Sequence, residues 1–202
     1  MRRRVLVTAA SQQGTTADIA KDIAEVLMRR KLDVECVRMA EVDDLSQFDA
    51  VVVGSAVYLG QWMSEAHDFL VKFRDQLLTK DVWLFSSGPL GDGEAASEVD
   101  SHALMALVHG REHRVFAGAL TRSDMPISER LLVTSLGLAD GDYRDWNAIR
   151  AWADEVGREI SEAHGGKPTF CHPGDGVGSS GRSGRVVDGP GSRSSGDRAP
   201  LS

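Results

Sequence analysis

The chain has 202 residues with a formal net charge of −7, and 42% hydrophobic and 26% charged residues suit a soluble globular protein of one domain plus a further segment. The charge is uneven: residues 1–164 hold 18 basic against 27 acidic side chains, a net −9 that argues against nucleic acid as a partner. Two cysteines, Cys36 and Cys171, do not make a disulfide framework. No apolar run approaches a membrane span. The start Met1-Arg2-Arg3-Arg4 is basic, but the apolar run behind it ends at Ser11 and is too short for a secretory signal. The expected compartment is the cytoplasm, with at most peripheral contact at the inner face of the membrane.

The chain opens on Val5-Leu6-Val7, an unalternated apolar run that suits a parallel strand covered on both faces. Ser11-Gln12-Gln13-Gly14-Thr15-Thr16 then turns into a helix with Ile19, Ile23, Val26 and Leu27 on one face. A loop entering a helix offers free N–H groups and the positive end of a dipole, which suits an anion. Ser11, Thr15 and Thr16 would add hydroxyl donors, and Gly14 would let the backbone approach the ligand. With one glycine and no Lys or Arg, the loop fits a single phosphate held by neutral donors. The alternative is an ordinary turn capped by Ser or Thr.

Asp33 to Arg38 alternates and reads as a second strand, placing Cys36 in a core strand and leaving an edge position open. A third strand is expected over 48–54, its three valines marking it as central, and a helix over about 64–78. Strands follow at 81–87 and 114–120, with a weaker helix over roughly 97–109 between them. The last helix runs from Asp145 to about Ala163, with Trp146 and Trp152 read as core residues. Five strands alternating with helices predict an α/β fold, a doubly wound five-stranded parallel sheet with helices on both faces. Residues 165–202 hold 10 Gly, 7 Ser and 4 Pro with Phe170 the single aromatic, too little apolar surface to offset ordering entropy, so a disordered tail is expected there.

Ligands of such sheets collect at the carboxyl ends of the strands, where strand order reverses. Three loops are expected there: 8–16, 54–63 and 86–94. The second carries Ala56, Val57, Tyr58, Leu59 and Gly60, small residues and an aromatic that could face a flat ring or, in the case of Tyr58, cap the sheet. The third is glycine-rich and presents Ser87, Gly88, Pro89, Leu90 and Gly91. No residue stands out as a general base; Asp92 and Glu94 qualify by location alone. His109 and His113 have i, i+4 spacing but a turn at Gly110 and no third ligand in register, so they read as solvated or structural rather than metal-binding.

The spacing Ser-x-x-Gly-x-Thr over residues 11–16 resembles the flavodoxin phosphate loop. With the other two loops placed, residues 1–164 resemble a flavodoxin-like FMN protein. More narrowly, Val53-Gly54-Ser55-Ala56-Val57-Tyr58-Leu59-Gly60, Phe116-Ala117-Gly118-Ala119-Leu120 and Tyr143-Arg144-Asp145-Trp146 resemble the menaquinone-dependent protoporphyrinogen dehydrogenases. The resemblance implies FMN as cofactor. Ser11, Gln13, Gly14 and Thr16 would hold its phosphate, and residues 56–60 and 87–91 would flank the isoalloxazine. It also implies a redox partner, a quinone or a protein, and porphyrinogen as a candidate substrate. The departure lies between Leu120 and Tyr143. There the enzymes carry a longer, basic and aromatic insertion, whereas 121–138 here is short with little net charge. Its leucines would touch a membrane or a quinone, or form a short helix folded back on the domain.

Three readings stay open: a quinone-linked flavoenzyme, a flavodoxin-type electron carrier whose acidity suits basic partners, and a fold relative without cofactor. Other users of such sheets are excluded. Residues 8–10, 53–55 and 119–121 lack the acids and lysine of a phosphoacceptor receiver. The first loop has neither the Cys and Arg of a small tyrosine phosphatase nor the glycines of a dinucleotide-binding turn.

Overall fold

The computed structural model describes residues 2–12, 14–58, 60–88, 102–120 and 140–163, with the side chains of Tyr58 and Leu120 excepted. All of these lie within the first of the two units into which the chain divides, Met1–Lys167. Gln13, Leu59, Pro89, Leu90, Gly91, Asp92, Glu94, Cys171, the 121–138 segment and the 165–202 tail fall outside the described residues.

Strand β1 (Arg4–Ala10) leads into helix α1 (Thr15–Arg29), then β2 (Asp33–Cys36) and a 3-10 turn at Met39–Glu41. Next come β3 (Ala50–Tyr58), β4 (Gln61–Trp62), α2 (Ser64–Lys72), α3 (Arg74–Leu77) and β5 (Asp81–Gly88). After α4 (102–108) follow β6 (Glu112–Ala117), β7 (Ala119–Leu120), β8 (Gly141–Asp142) and α5 (Trp146–Glu162). The main sheet is ordered β2-β1-β3-β5-β6, all parallel, with β4 added antiparallel to the end of β3. The chain steps outward from β1 to β2 and returns on the other side at β3, so strand order reverses between β1 and β3. That is the position at which open α/β sheets bind ligands.

Both faces are covered, which is why the strands read as continuous apolar runs. Val5, Val7, Val52, Trp83 and Phe85 pack under α1 and α5, while Leu6, Val51, Val53, Val82 and Leu84 pack under α2, α3 and α4. Trp152 is buried and meets Phe85 and Phe116 edge-on, and its indole N–H donates to Glu112 Oε2 at 2.9 Å. This confirms its core role; Trp146 is half-buried against the same cluster. Gly54 is demanded by this packing: a Cβ there would sit 2.1 Å from the Phe85 ring.

Four sequence expectations need correction. The third strand does not end at residue 54 but runs to Tyr58 and doubles back, with Val57 opposite Trp62 and Tyr58 opposite Gln61. The expected 64–78 helix bends at Phe73 (φ −102°, ψ 11°) as the Phe73 ring turns inward against Phe69, 4.9 Å between centroids. The last main strand spans 112–117 rather than 114–120. At Gly118 the chain leaves the sheet, and β7 pairs with β8 instead. Cys36 is exposed, because β2 is an edge strand and the core ends one layer inside it.

Candidate functional site

The parallel register brings the strand ends level. Ala10 lies opposite Ser55, Ser55 opposite Ser86, Ala56 opposite Ser87, and Gly88 opposite Ala117. β1, β3 and β5 therefore end side by side at one edge.

At the first loop, Gly14 is the N-cap of α1 with φ +82°, a left-handed conformation that favours glycine. A Cβ added at Gly14 would meet nothing within 4 Å, so the space before the helix is open. The helix has no side-chain cap. Its first backbone bond is Asp18 N–H to the Gly14 carbonyl, 3.0 Å, so the N–H groups of residues 15–17 have no acceptor within the helix. Ser11 Oγ and Thr16 Oγ1 are buried without a hydrogen-bond partner. This rules out the alternative of a turn capped by Ser or Thr, because neither hydroxyl is spent on the helix end.

A third buried hydroxyl without a partner lies on the other face of the sheet from α1. Thr8, fully buried on β1 before the loop, also has an unpartnered Oγ1. Buried hydroxyls are hydrogen-bonded in the large majority of cases, and each one left unmade costs roughly 1–3 kcal/mol. The two at the helix N-terminus, Ser11 and Thr16, fit an anion that accepts from hydroxyl and backbone donors together.

At the second loop, Ala56 and Val57 are strand residues, each 8% exposed, rather than open loop. Ser55 Oγ donates to the Ala56 carbonyl at 2.8 Å and accepts from Met63 N–H at 3.0 Å, pinning the β3–β4 hairpin to the start of α2. Gly60 turns the hairpin with φ +77°. At the third, Ser87 is buried and Gly88 half-buried where β5 ends.

Two further constellations lie in the same region. Trp62 Nε1–H donates to Ser86 Oγ at 2.8 Å, and Ser86 Oγ in turn bonds His113 Nε2 at 2.8 Å. Burial pushes the His113 pKa below its ordinary value, against the pull of Glu112 and with the help of His102. His113 is thus tied through Ser86 to Trp62, and among the described residues there is no group of three or more His, Cys, Asp and Glu placed to hold a metal. Arg144 lies against the first turn of α1. Its guanidinium holds the Asp142 carboxylate in two bonds of 2.8 and 2.7 Å and donates to the Thr15 carbonyl at 3.1 Å. Sequence reading marked Tyr143-Arg144-Asp145-Trp146 as a motif without locating this contact, which joins residues 129 apart.

Comparison with known proteins matches residues 6–146 to the family model described as "Flavodoxin domain". A relative from Bacillus subtilis (strain 168), "Probable flavodoxin 1", is 34% identical over 89 residues, covering 42% of this chain and 56% of the relative. The match thus spans a little over half of that protein's length. Among solved structures, a flavodoxin from the domain Archaea superposes with TM-score 0.54 at 15% identity, over 78% of this chain and 99% of that one. Rubredoxin oxygen:oxidoreductase from Desulfovibrio gigas superposes with TM-score 0.58 at 12% identity, over 82% of this chain and 38% of that one. The structural likenesses establish the flavodoxin-like α/β fold. The family match goes further: the chain belongs to the flavodoxin family, whose members bind FMN.

The residues present fit that cofactor's phosphate. The loop offers uncommitted hydroxyls, free helix N–H groups and an open space before Gly14, and a phosphate monoester can accept from all of them. Among the described residues, no helix is long and apolar enough to cross a membrane.

Proposed function

We propose that this chain is an FMN-dependent redox protein that passes electrons to a quinone, in the manner of the menaquinone-dependent protoporphyrinogen dehydrogenases. Bound FMN supplies reversible electron acceptance and donation. The chain supplies position: Ser11 and Thr16 hydroxyls and the α1 N–H groups hold the phosphate, while Ala56 to Gly60 and residues 87–91 frame the ring. The observation that carries the reading is the pair of buried hydroxyls without partners, Ser11 and Thr16, beside one uncapped helix N-terminus in a member of an FMN-binding family. The quinone-linked part is supported by the sequence motifs at 53–60, 116–120 and 143–146. Porphyrinogen is the electron donor this likeness suggests, and residues 1–164 carry the function.

A second reading, an electron carrier without a substrate of its own, is favoured by the net −9 on residues 1–164. Such a charge steers a molecule toward basic partners. Reconstitution with FMN followed by desalting tests the shared part, since retained flavin absorbance requires the site. Photoreduction and mixing with a menaquinone analogue separates the two. Rapid reoxidation supports the enzyme, slow reoxidation supports the carrier, and a colourless protein after desalting overturns both.

A further inference from the structure

We infer that Arg144 is a positioning residue for the phosphate turn, setting how strongly the chain prefers FMN over riboflavin, an inference that rests on the FMN reading above. Its side chain is 11% exposed although both its carboxylate partners, Asp142 and Asp18, are about half exposed. It touches three elements at once. Nε and Nη2 grip Asp142 on β8, Nη1 donates to the Thr15 carbonyl on α1 and reaches Asp18 Oδ2 at 3.5 Å, and the guanidinium lies 4.5 Å from the centroid of the Trp146 ring on α5.

The contact to Thr15 is the informative one. The Thr15 carbonyl and the Thr16 N–H belong to a single planar peptide unit. Holding the oxygen therefore fixes the direction of the N–H, one of the donors that has no acceptor within the helix. A cationic donor on the carbonyl also polarises the unit and strengthens its N–H as a donor. Arg144 follows β8 and precedes the N-cap of α5, where Asp145 accepts from Asn147 and Ala148 N–H at 3.0 Å each, so its backbone is itself well held. Two carboxylates neutralise its charge. What remains for it is geometry: a planar fork that spans Asp142 and Thr15 together, a span that a lysine ammonium lacks.

The test is the dissociation constant for FMN and for riboflavin, which lacks the phosphate, measured by flavin fluorescence quenching on the full chain and on Arg144→Ala and Arg144→Lys. Thermal midpoints of the ligand-free proteins are recorded alongside. Positioning predicts that Arg144→Ala loses about 10-fold in FMN affinity, the worth of one charge-assisted contact. Riboflavin affinity stays within about 2-fold, and Arg144→Lys restores little of the loss. Equal losses for both flavins, or none, overturn the inference and leave Arg144 a brace of the fold. Full rescue by Arg144→Lys also overturns it, since charge alone would then suffice. If Arg144→Ala yields no folded protein, Arg144→Lys decides alone: an unchanged FMN-to-riboflavin ratio is the overturning result. A wild-type chain that binds both flavins equally overturns the phosphate-turn reading itself, a failure distinct from that of Arg144.

Discussion

At the amino ends of the strands Arg3, Arg4, Lys80 and Arg111 have each found a partner. Arg3 donates to Asp81 at 2.8 Å and to the Ile160 carbonyl at 3.1 Å, and Arg111 closes on the same carboxylate. Arg4 bonds Gln47 and pairs with Asp33 and Glu35, and its N–H donates to Asp49. Lys80 caps the Phe48 carbonyl at 2.7 Å. At the carboxyl end of β1, Ser11 and Thr16 are buried with hydroxyls that bond nothing, and two more unpartnered groups, Thr8 Oγ1 and Trp83 Nε1, lie within the sheet. The same sheet thus stabilises itself at one edge and holds donors in reserve at the other. Arg3 and Arg4, basic as a signal peptide would be, turn out to be fastenings of the amino edge.

The comparison breaks most sharply at Gly14. Gly14→Asp is expected to lower FMN affinity more than about 100-fold, because a carboxylate would face the phosphate at short range. Gly14→Asn tolerates the same left-handed backbone without the charge and should keep most of the affinity. Beyond the flanking residues nothing lies within 4 Å of the added Cβ, so the expected cost to stability is the backbone strain of a side chain at φ +82°, shared by both variants, and not a clash. Equilibrium dialysis with FMN and a thermal melt of the ligand-free protein check both halves.

Thr16→Val sharpens the contrast. The hydroxyl at this fully buried position is replaced by a methyl of the same shape. The ligand-free protein should gain up to ~1 kcal/mol in stability, while FMN binding weakens roughly 10-fold or more. Urea titration of the ligand-free variant reads the first effect and flavin fluorescence the second. A loss of stability in the absence of flavin would mean the hydroxyl is already satisfied.

Asp81→Ala is the reverse experiment at the opposite edge. It leaves Arg3 and Arg111 without their shared carboxylate, and about 1–2 kcal/mol of stability should go with it, discounted for partial exposure. FMN affinity should be unchanged. If both quantities fell together, the two edges would not be independent.

The smallest effect concerns His113. Its folded-state pKa is depressed by burial, so the unfolded chain binds more protons in the window below the ordinary histidine pKa of ~6.5. The stability that depends on neutral His113 is complete above that value and is lost as pH falls through the folded-state pKa. Urea midpoints between about pH 5 and 7.5 should therefore fall more steeply with acid in the wild type than in His113→Gln.

Much of this molecule was determined by local sequence. Val5-Leu6-Val7, Val51 to Val53 and Val82 to Phe85 read as doubly covered strands because a run apolar at every position has no other economical burial, and all of them are in the core. The 11–16 turn was legible because a helix start exposes N–H groups whatever surrounds it. Other features depended on neighbours that pattern does not encode. Residues 54–58 are small and carry no strong period, so β3 runs on only because β5 lies beside it and supplies hydrogen bonds as far as Ala56. Cys36 looks internal in a strand of alternating character, and it is exposed because the sheet stops there. The bend at Phe73 answers to the Phe69 ring and the core beneath it, while the apolar spacing continues unbroken through both helices. The bond from Arg144 to Thr15 and the chain from Trp62 through Ser86 to His113 join residues distant in sequence, brought together by strand order. Sequence by itself determined which segments are buried and where a helix start leaves backbone N–H groups without helical acceptors, because those follow from local burial and backbone geometry. Tertiary structure alone decided which hydroxyls stay unpaired and which distant arginine holds the turn, because partnership is set by what the sheet places alongside.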